Sequence, residues 1–148
     1  MIVTPKTEQE LQASQAFMLF HAGVQPSADA RYIGWVEDDQ LKMMVALTSF
    51  VGKTCQIHVA MNKGFHFTPR KMLDACFDYA FNFAGREMVL GVVNSQNARA
   101  MKYDLHLGFK LLYALPGMHD DGGDVVLMGM KRDECPYLKT DAPAEAVH

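Results

Sequence analysis

The stretch Asn62–Leu73 reads Asn-Lys-Gly-Phe-His-Phe-Thr-Pro-Arg-Lys-Met-Leu and opens the segment around which the chain is organised. Thr68 and Pro69 suit the N-cap and the first position of an α-helix, and Gly85 suits the position just after its end. Between them, apolar residues recur at the 3.6-residue spacing of a helix with one buried face. These residues are Met72, Leu73, Cys76, Phe77, Ala80, Phe81 and Ala84. The pattern predicts a helix from Thr68 to Gly85 that packs on a sheet or on another helix.

The first turn of this predicted helix carries two cations, Arg70 and Lys71. Acidic residues are the ones that stabilise a helix start, because the helix dipole is positive there. Free backbone N–H groups at a helix start bind phosphate readily, and flanking cations strengthen the binding. The pair therefore predicts an anion site. The alternative is two solvated cations on an exposed face.

The segments on either side of this helix predict a sheet with two further helices. Thr7 to Glu10 matches a capping box, so we expect a helix over about Glu8–Ala22. Extended runs with alternating or continuous apolar residues predict six strands, namely Arg31–Glu37, Gln40–Val51, Thr54–Met61, Glu87–Val93, Phe109–Leu115 and Asp124–Met130. A further helix begins at a cap on Asn94 or Ser95 and ends at Gly108. Strand, helix, strand implies a parallel crossover between Thr54–Met61 and Glu87–Val93.

Composition limits the class of protein and its partners. The 148 residues suit one domain, which we place at residues 1–138, and the mostly small, polar or proline residues 139–148 predict a disordered tail. A net charge of −3 argues against nucleic-acid binding. The three cysteines show no CxxC spacing and predict a reducing, cytoplasmic setting. The first residues lack the pattern of a signal peptide and no apolar run is long enough to span a bilayer, so we expect neither export nor contact with a membrane.

The order of these elements resembles that of the GNAT superfamily of acyl-CoA-dependent N-acetyltransferases over about Thr7 to Lys131. The most specific pieces are Asn97-Ala-Arg-Ala, the Leu107-Gly-Phe109 that ends the same helix, and the apolar strand Val89–Val93 before Asn94. The resemblance implies an α+β protein, an α/β sandwich whose mixed, mostly antiparallel, twisted sheet is flanked by helices. It also implies that the parallel strands splay apart at the ends nearest Asn62 and Asn94, leaving a slot for the cofactor.

The resemblance also implies which residues hold acetyl-CoA, the co-substrate. The strand Thr54–Met61, through Val59 and Met61, would hydrogen-bond the pantetheine arm. The loop and helix start at residues 63–71 would hold the pyrophosphate, and an asparagine matching Asn97 commonly contacts the cofactor. Within that loop the predicted contacts are Gly64, Phe65, Thr68, Arg70 and Lys71.

Two departures from the family pattern stand out. Phe67 and Pro69 occupy positions where the family's pyrophosphate loop has small residues. The tyrosine that often protonates the departing thiolate aligns with Asp104, while Tyr103 lies about 100° away around the helix. We therefore expect that Tyr103 is not this acid. The chain also resembles the short GNAT-like proteins of phages and their bacterial hosts, in which the loop is similarly poor in glycine.

His58 is the best-placed candidate for the base that deprotonates the amine, because it lies on the strand before the loop and has an ordinary pKa of about 6.5. A histidine on a sheet face can equally be a structural residue. We assign Asp104 as the second catalytic candidate, suited to holding a cationic amine or a water. The histidines and cysteines have no recurrent spacing, so no metal site is predicted.

The sequence thus predicts an enzyme that moves an acetyl group from acetyl-CoA to an amine by direct attack. The alternative is a protein of the same fold that binds CoA or has a structural role without turnover. The acceptor would be a small molecule, a peptide or a protein, and Asp120, Asp121 and Asp124 would suit a cationic one or simply form an exposed turn. A homodimer is left open.

Overall fold

The computed structural model describes residues 1–138, and the predicted tail at residues 139–148 lies outside them. The strands are β1 (Ile2–Val3), β2 (Arg31–Glu37), β3 (Gln40–Val51), β4 (Thr54–Met61), β5 (Met88–Asn94), β6 (Lys110–Leu115) and β7 (Val125–Lys131). The helices are α1 (Glu8–Ala22), α2 (Arg70–Phe77) and α3 (Ala98–Leu107). A π-helical segment, Asp78–Phe83, continues α2, and a short 3₁₀ turn, Arg132–Glu134, follows β7.

The strands form one sheet in the order β1-β2-β3-β4-β5-β7-β6. Neighbouring strands are antiparallel except β4 and β5, which are parallel because α2 carries the chain across the sheet between them. The predicted mixed, mostly antiparallel sheet flanked by helices is confirmed. The short β1, which pairs Val3 with Gly34 at the sheet edge, was not predicted.

Two apolar clusters hold the helices on opposite faces of the sheet. Met18 of α1 packs with Tyr32, Met44, Ala46 and Ala60 on one face. On the other face the larger core joins α2, the π-helical segment and α3 to the strands. The apolar stripe predicted for the central helix lies in this core, with Phe77 and Phe81 fully buried and stacked at a centroid distance of 6.1 Å.

The first half of the fold follows its local signals closely. The Thr7 side chain accepts a hydrogen bond from the N–H of Glu10 at 3.1 Å, which is the predicted N-cap of α1. Asp38 and Asp39 both have positive φ, 52° and 59°, in the tight turn between β2 and β3. The boundaries predicted for α1, β2, β3 and β4 are confirmed.

The prediction of one continuous α-helix from Thr68 to Gly85 is wrong. The helix begins at Arg70, with Pro69 at its N-cap and no side-chain hydrogen bond there, because the Thr68 hydroxyl bonds elsewhere. It widens at Asp78 into the π-helical segment, where Ala84 N–H donates to the carbonyl of Tyr79 at 2.7 Å. The guanidinium of Arg132 donates to the carbonyl of Phe81 and so satisfies one backbone acceptor in this segment.

The predicted cap of the last helix is also wrong. Asn97, not Asn94 or Ser95, caps α3, and its side chain accepts a hydrogen bond from Ala100 N–H at 3.1 Å. Asn94 and Ser95 instead bond to the loop between β6 and β7, because that loop lies beside the end of β5. Asn94 Nδ2 donates to Asp121 at 2.7 Å, and Ser95 Oγ accepts from Asp124 N–H at 2.8 Å.

Candidate active site

The parallel pair β4 and β5 separates part-way along its length. The two strands are paired at Thr54 with Met88, Cys55 with Val89 and Gln56 with Leu90. Beyond this point β4 stays paired with β3 as far as Met61, and β5 stays paired with β7 as far as Asn94. The predicted divergence toward Asn62 and Asn94 is therefore confirmed, and it leaves a gap between residues 57–61 of β4 and residues 91–94 of β5.

The loop at residues 62–69 leads from the open end of β4 into α2. Gly64 has a φ of +87°, a conformation that side chains other than glycine rarely adopt. Two backbone donors are used inside the loop, because Lys63 N–H bonds to the Asn62 side chain and Phe65 N–H bonds to the Asn62 carbonyl. The Phe65 ring packs against the core.

Helix α3 is tied to this loop by two side-chain hydrogen bonds. The hydroxyls of Thr68 and Tyr103 lie 2.9 Å apart, and Arg99 Nη2 donates to His66 Nδ1 at 2.9 Å. Burial is the main cause that raises the pKa of Tyr103 to about 12. Tyr103 therefore acts in the structure as a buried link between α3 and the loop.

The cations near the loop differ in how far they are already engaged. Arg70 Nε bonds to Asp74 at 2.9 Å, one Nη donates to the carbonyl of Pro136, and the guanidinium lies 5.0 Å from the centre of the Tyr137 ring. Lys71 is exposed in the same turn. Arg99, which was not among the predicted contacts, is exposed at the start of α3 and reaches the loop through His66. A signal for Arg99 existed in the Asn97-Ala-Arg-Ala motif, but only the asparagine was interpreted.

The two catalytic candidates lie on opposite faces of the sheet, one on each side of the gap. His58 pairs with Ala46 and so points toward the face that carries α1. Its Nε2 lies 2.9 Å from the Thr48 hydroxyl, and burial lowers its pKa below the ordinary 6.5. His58 is therefore uncharged at neutral pH.

Asp104 approaches the gap from the other face, on α3. One of its carboxylate oxygens lies 3.3 Å from the position that a Cβ would take on Gly91, so the glycine allows α3 to lie close to β5. Burial raises the pKa of Asp104 to about 6. Both candidates thus have pKa values shifted by burial beside the same gap, which is typical of functional sites.

The remaining predicted contacts are placed around the gap. Val59 and Met61 lie on the half of β4 that pairs with β3 but not with β5, and their side chains are half-buried against the core. Asn97 caps α3, so its side-chain oxygen is occupied by Ala100 N–H. Within residues 1–138, no group of three or more histidine, cysteine, aspartate or glutamate side chains is placed to hold a metal ion.

Similar folds occur among solved N-acetyltransferases. The spermidine N-acetyltransferase of Vibrio cholerae, solved with CoA and spermine, is 12% identical with a TM-score of 0.71, over 94% of this chain and 98% of that one. The chain has the GNAT fold. The protein yncA of Salmonella typhimurium, solved with its cofactor acetyl-CoA, is 15% identical with a TM-score of 0.69, over 99% and 98% of the two chains.

A third similar structure is the ribosomal-protein-S18-alanine N-acetyltransferase of Escherichia coli. It is 14% identical with a TM-score of 0.68, over 88% of this chain and 92% of that one. No family model matches the sequence, and a search of curated proteins gives no match. The similarity is therefore one of fold, at sequence identities of 12–15% for these structures.

Proposed function

We propose that this protein is an acyl-CoA-dependent N-acetyltransferase that moves an acetyl group from acetyl-CoA to an amine by direct attack. The observation that carries the proposal is the gap between β4 and β5, which opens next to a loop flanked by Lys71 and Arg99. A strand edge without a pairing partner offers backbone donors and acceptors to an extended ligand, and cations suit its phosphates. Acetyltransferase structures solved with CoA or acetyl-CoA share this fold, which supports transfer over the alternative of a protein without turnover.

The residues that would hold acetyl-CoA follow from this arrangement. Val59 and Met61 would bond the pantetheine arm through the backbone of β4. The loop, through Gly64, Phe65 and Thr68, would lie along the pyrophosphate, and Asn97 would contact the cofactor from the start of α3. Because Arg70 is engaged by Asp74 and Pro136, Lys71 and Arg99 are the better sources of charge for the phosphates.

The chemistry assigned to this chain is modest. Acetyl-CoA supplies a thioester carbonyl whose thiolate is a tolerable leaving group. His58, uncharged at neutral pH, would take the proton from the amine on the α1 face of the sheet. The Thr48 hydroxyl hydrogen-bonds His58 Nε2 and so fixes the ring. The other ring nitrogen, Nδ1, is then the one that would take the proton from the amine substrate. Asp104 would attract a cationic amine or hold a water from the α3 face.

Thiol release from acetyl-CoA tests the proposal. The protein is incubated with acetyl-CoA and a broad panel of amines, including polyamines, amino acids and peptide N-termini, and free thiol is followed over time. We expect amine-dependent release that is lost in His58→Ala. CoA binding without release on any amine would instead support the alternative of a binding protein.

Several finer points belong to the same proposal. The acceptor is a small molecule, a peptide or a protein, and no metal, nucleic acid or membrane takes part. The cytoplasmic location and the similarity to phage proteins stay predictions. None of the helices in residues 1–138 combines the length and the apolar character that a membrane span requires.

A further inference from the structure

On one face of the sheet, the part formed by β5, β7 and β6 is not covered by any described helix. In the parallel pair, Gln56 lies opposite Leu90, so Leu90 and Val92 point to the same side as His58 and α1. Val92 pairs with Leu127, Leu127 with Tyr113, and Val125 with Leu115, which continues this side across β7 and β6. Within residues 1–138, α1 is the helix on this side, and its cluster lies on β2, β3 and β4.

We call this surface the open face and define it by Leu90, Val92, Leu112, Tyr113, Leu115 and Leu127. Leu112 belongs to it because the bulge in β6 folds its side chain over Gly129, with Cδ1 only 2.6 Å from where a Cβ on that glycine would lie. The exposed fractions are 49% for Val92, 44% for Leu112, 63% for Tyr113 and 45% for Leu115.

A contiguous apolar surface of this kind is uncommon on a monomer. Single exposed apolar side chains are normal, but a patch that joins three strands marks an interaction surface. Soluble proteins usually protect an edge strand with charge, proline or a covering segment. In β6, which is an edge strand, Lys110 at its first position is the one charged residue, and Met118 just beyond the strand is also 67% exposed.

The charges at the two ends of the open face are of opposite sign. Lys110 and Lys131 lie at one end, because Lys110 pairs with Gly129 and Lys131 pairs with Met88 on this side of the sheet. Glu134 forms an ion pair with Lys110 and so neutralises one of these two charges. At the other end is the loop between β6 and β7, with the exposed Asp120 and Asp121.

We propose that a second copy of this chain packs its own open face against this one, with the strands of the two copies antiparallel across a two-fold axis. That arrangement places Lys131 of each copy near the acidic loop of the other, whereas a parallel arrangement would bring like charges together. Packing of two apolar sheet faces buries all six residues at once.

The open face extends too far from the gap to be explained as a binding site for the amine substrate, which favours a second copy of the chain. β6 lies two strands beyond β5, roughly 10 Å from the gap at ~4.8 Å per strand. An amine acceptor needs the edge of the gap near His58, not the outer strand. The test of the open face uses the protein without CoA and therefore does not depend on turnover.

Sedimentation equilibrium of the full chain without CoA tests the proposal. We expect a dimer of twice the 16.6 kDa chain mass at micromolar concentration. Tyr113→Lys and Leu115→Lys, which place charge in the centre of the face, should each raise the dimer dissociation constant at least about tenfold. The matched control is Val51→Lys, which changes an apolar residue of 70% exposure at the far end of β3 and should leave the dimer intact.

A charge swap tests the antiparallel arrangement. Lys131→Glu should weaken the dimer, and adding Asp120→Lys in the same chain should restore most of the loss. Circular dichroism confirms that each variant is folded. A wild-type monomer at all concentrations, or a dimer that Tyr113→Lys and Leu115→Lys leave unchanged, would overturn the proposal, as would a charge swap that weakens the dimer further.

Discussion

The residues nearest the gap have different environments, and these differences predict different kinetic roles. His58 is held by Thr48 and uncharged at neutral pH, Asp104 is half-buried against Gly91, and Tyr103 is bonded to Thr68. A thiol with a pKa near 8.5 leaves readily, so a dedicated proton donor contributes less than deprotonation of the amine. The base should therefore matter more than an acid.

Steady-state kinetics on three variants checks this order. Tyr103→Phe should keep most of kcat, Asp104→Asn should lower kcat/KM more than Tyr103→Phe does, and His58→Ala should be the most damaging. With His58 as the base, kcat/KM should fall on the acid side of an apparent pKa below 6.5, and Asp104→Asn should leave this limb in place. A collapse of kcat in Tyr103→Phe alone, with folding and CoA binding intact, would restore tyrosine as the acid.

Asp104 also predicts a pH dependence of stability. Its folded-state pKa of about 6 lies above the ordinary value of 3.8, so the carboxylate is less favourable in the folded protein than in the unfolded chain. The penalty grows as the pH rises from 3.8 to 6 and is complete above that range. Asp104→Asn should therefore raise the melting temperature more at pH 7.5 than at pH 4.5. An equal change at both pH values would show that the carboxyl is well solvated.

At the scale of elements, the loop at residues 62–69 and the start of α3 form one unit through the Thr68–Tyr103 and His66–Arg99 hydrogen bonds. The cations predicted for the anion site were Arg70 and Lys71, because they are adjacent in the first turn of α2. The Arg70–Asp74 pair is local, at i,i+4 spacing on one helix, but the bond from Arg70 to the carbonyl of Pro136 was not predictable, since Pro136 is distant along the chain. Long-range contacts of this kind are decided by packing and leave no local pattern.

Reversing the charge of the cations beside the loop at residues 62–69 and at the start of α3 tests whether they bind the phosphates of CoA. Lys71→Glu combined with Arg99→Glu should weaken CoA binding by on the order of 2 kcal/mol, through lost pairing and added repulsion. Lys53→Glu is the matched control, since Lys53 is an exposed cation next to the opposite end of β4. Calorimetry with CoA measures all three proteins. Equal affinities would mean that the basic residues around the loop are only a solvated surface.

The two wrong helix predictions have a shared physical cause. Thr68, Pro69 and Gly85 are good local signals for helix ends, but the Thr68 hydroxyl finds a partner on α3 instead of capping its own helix. Asn94 and Ser95 are equally good caps, yet both bond to the loop between β6 and β7. The π-helical segment at Asp78–Phe83 is supported by Arg132, which follows β7 far along the chain. In each case a tertiary contact overrides a local preference.

At the scale of the whole molecule, the strands from β2 onward and the parallel crossover were predictable because alternation and turn residues mark them, whereas the splayed pair was expected from the family resemblance. The open face was not predictable, since Val92, Tyr113 and Leu115 look like ordinary strand residues until the register shows that they share one uncovered side. Burial against a helix and burial against a partner leave the same apolar pattern in a sequence.

The gap makes a last prediction about the entire sheet. Residues 57–61 of β4 and residues 91–94 of β5 are not hydrogen-bonded to each other across the gap. Their amides should therefore exchange with solvent faster than those of strands that are paired on both sides. If acetyl-CoA lies along β4, its binding should slow exchange at residues 57–61 and in the loop that follows. Peptides from the middle of β3 serve as the internal control, because this strand is paired with β2 and with β4 on the two sides of Val45. Hydrogen exchange with mass spectrometry, with and without acetyl-CoA, makes the comparison.

Protection confined to the cavity of about 460 Å³ lined by Thr4, Arg31 and Tyr79 would place the ligand at the other end of the sheet and contradict the proposed site.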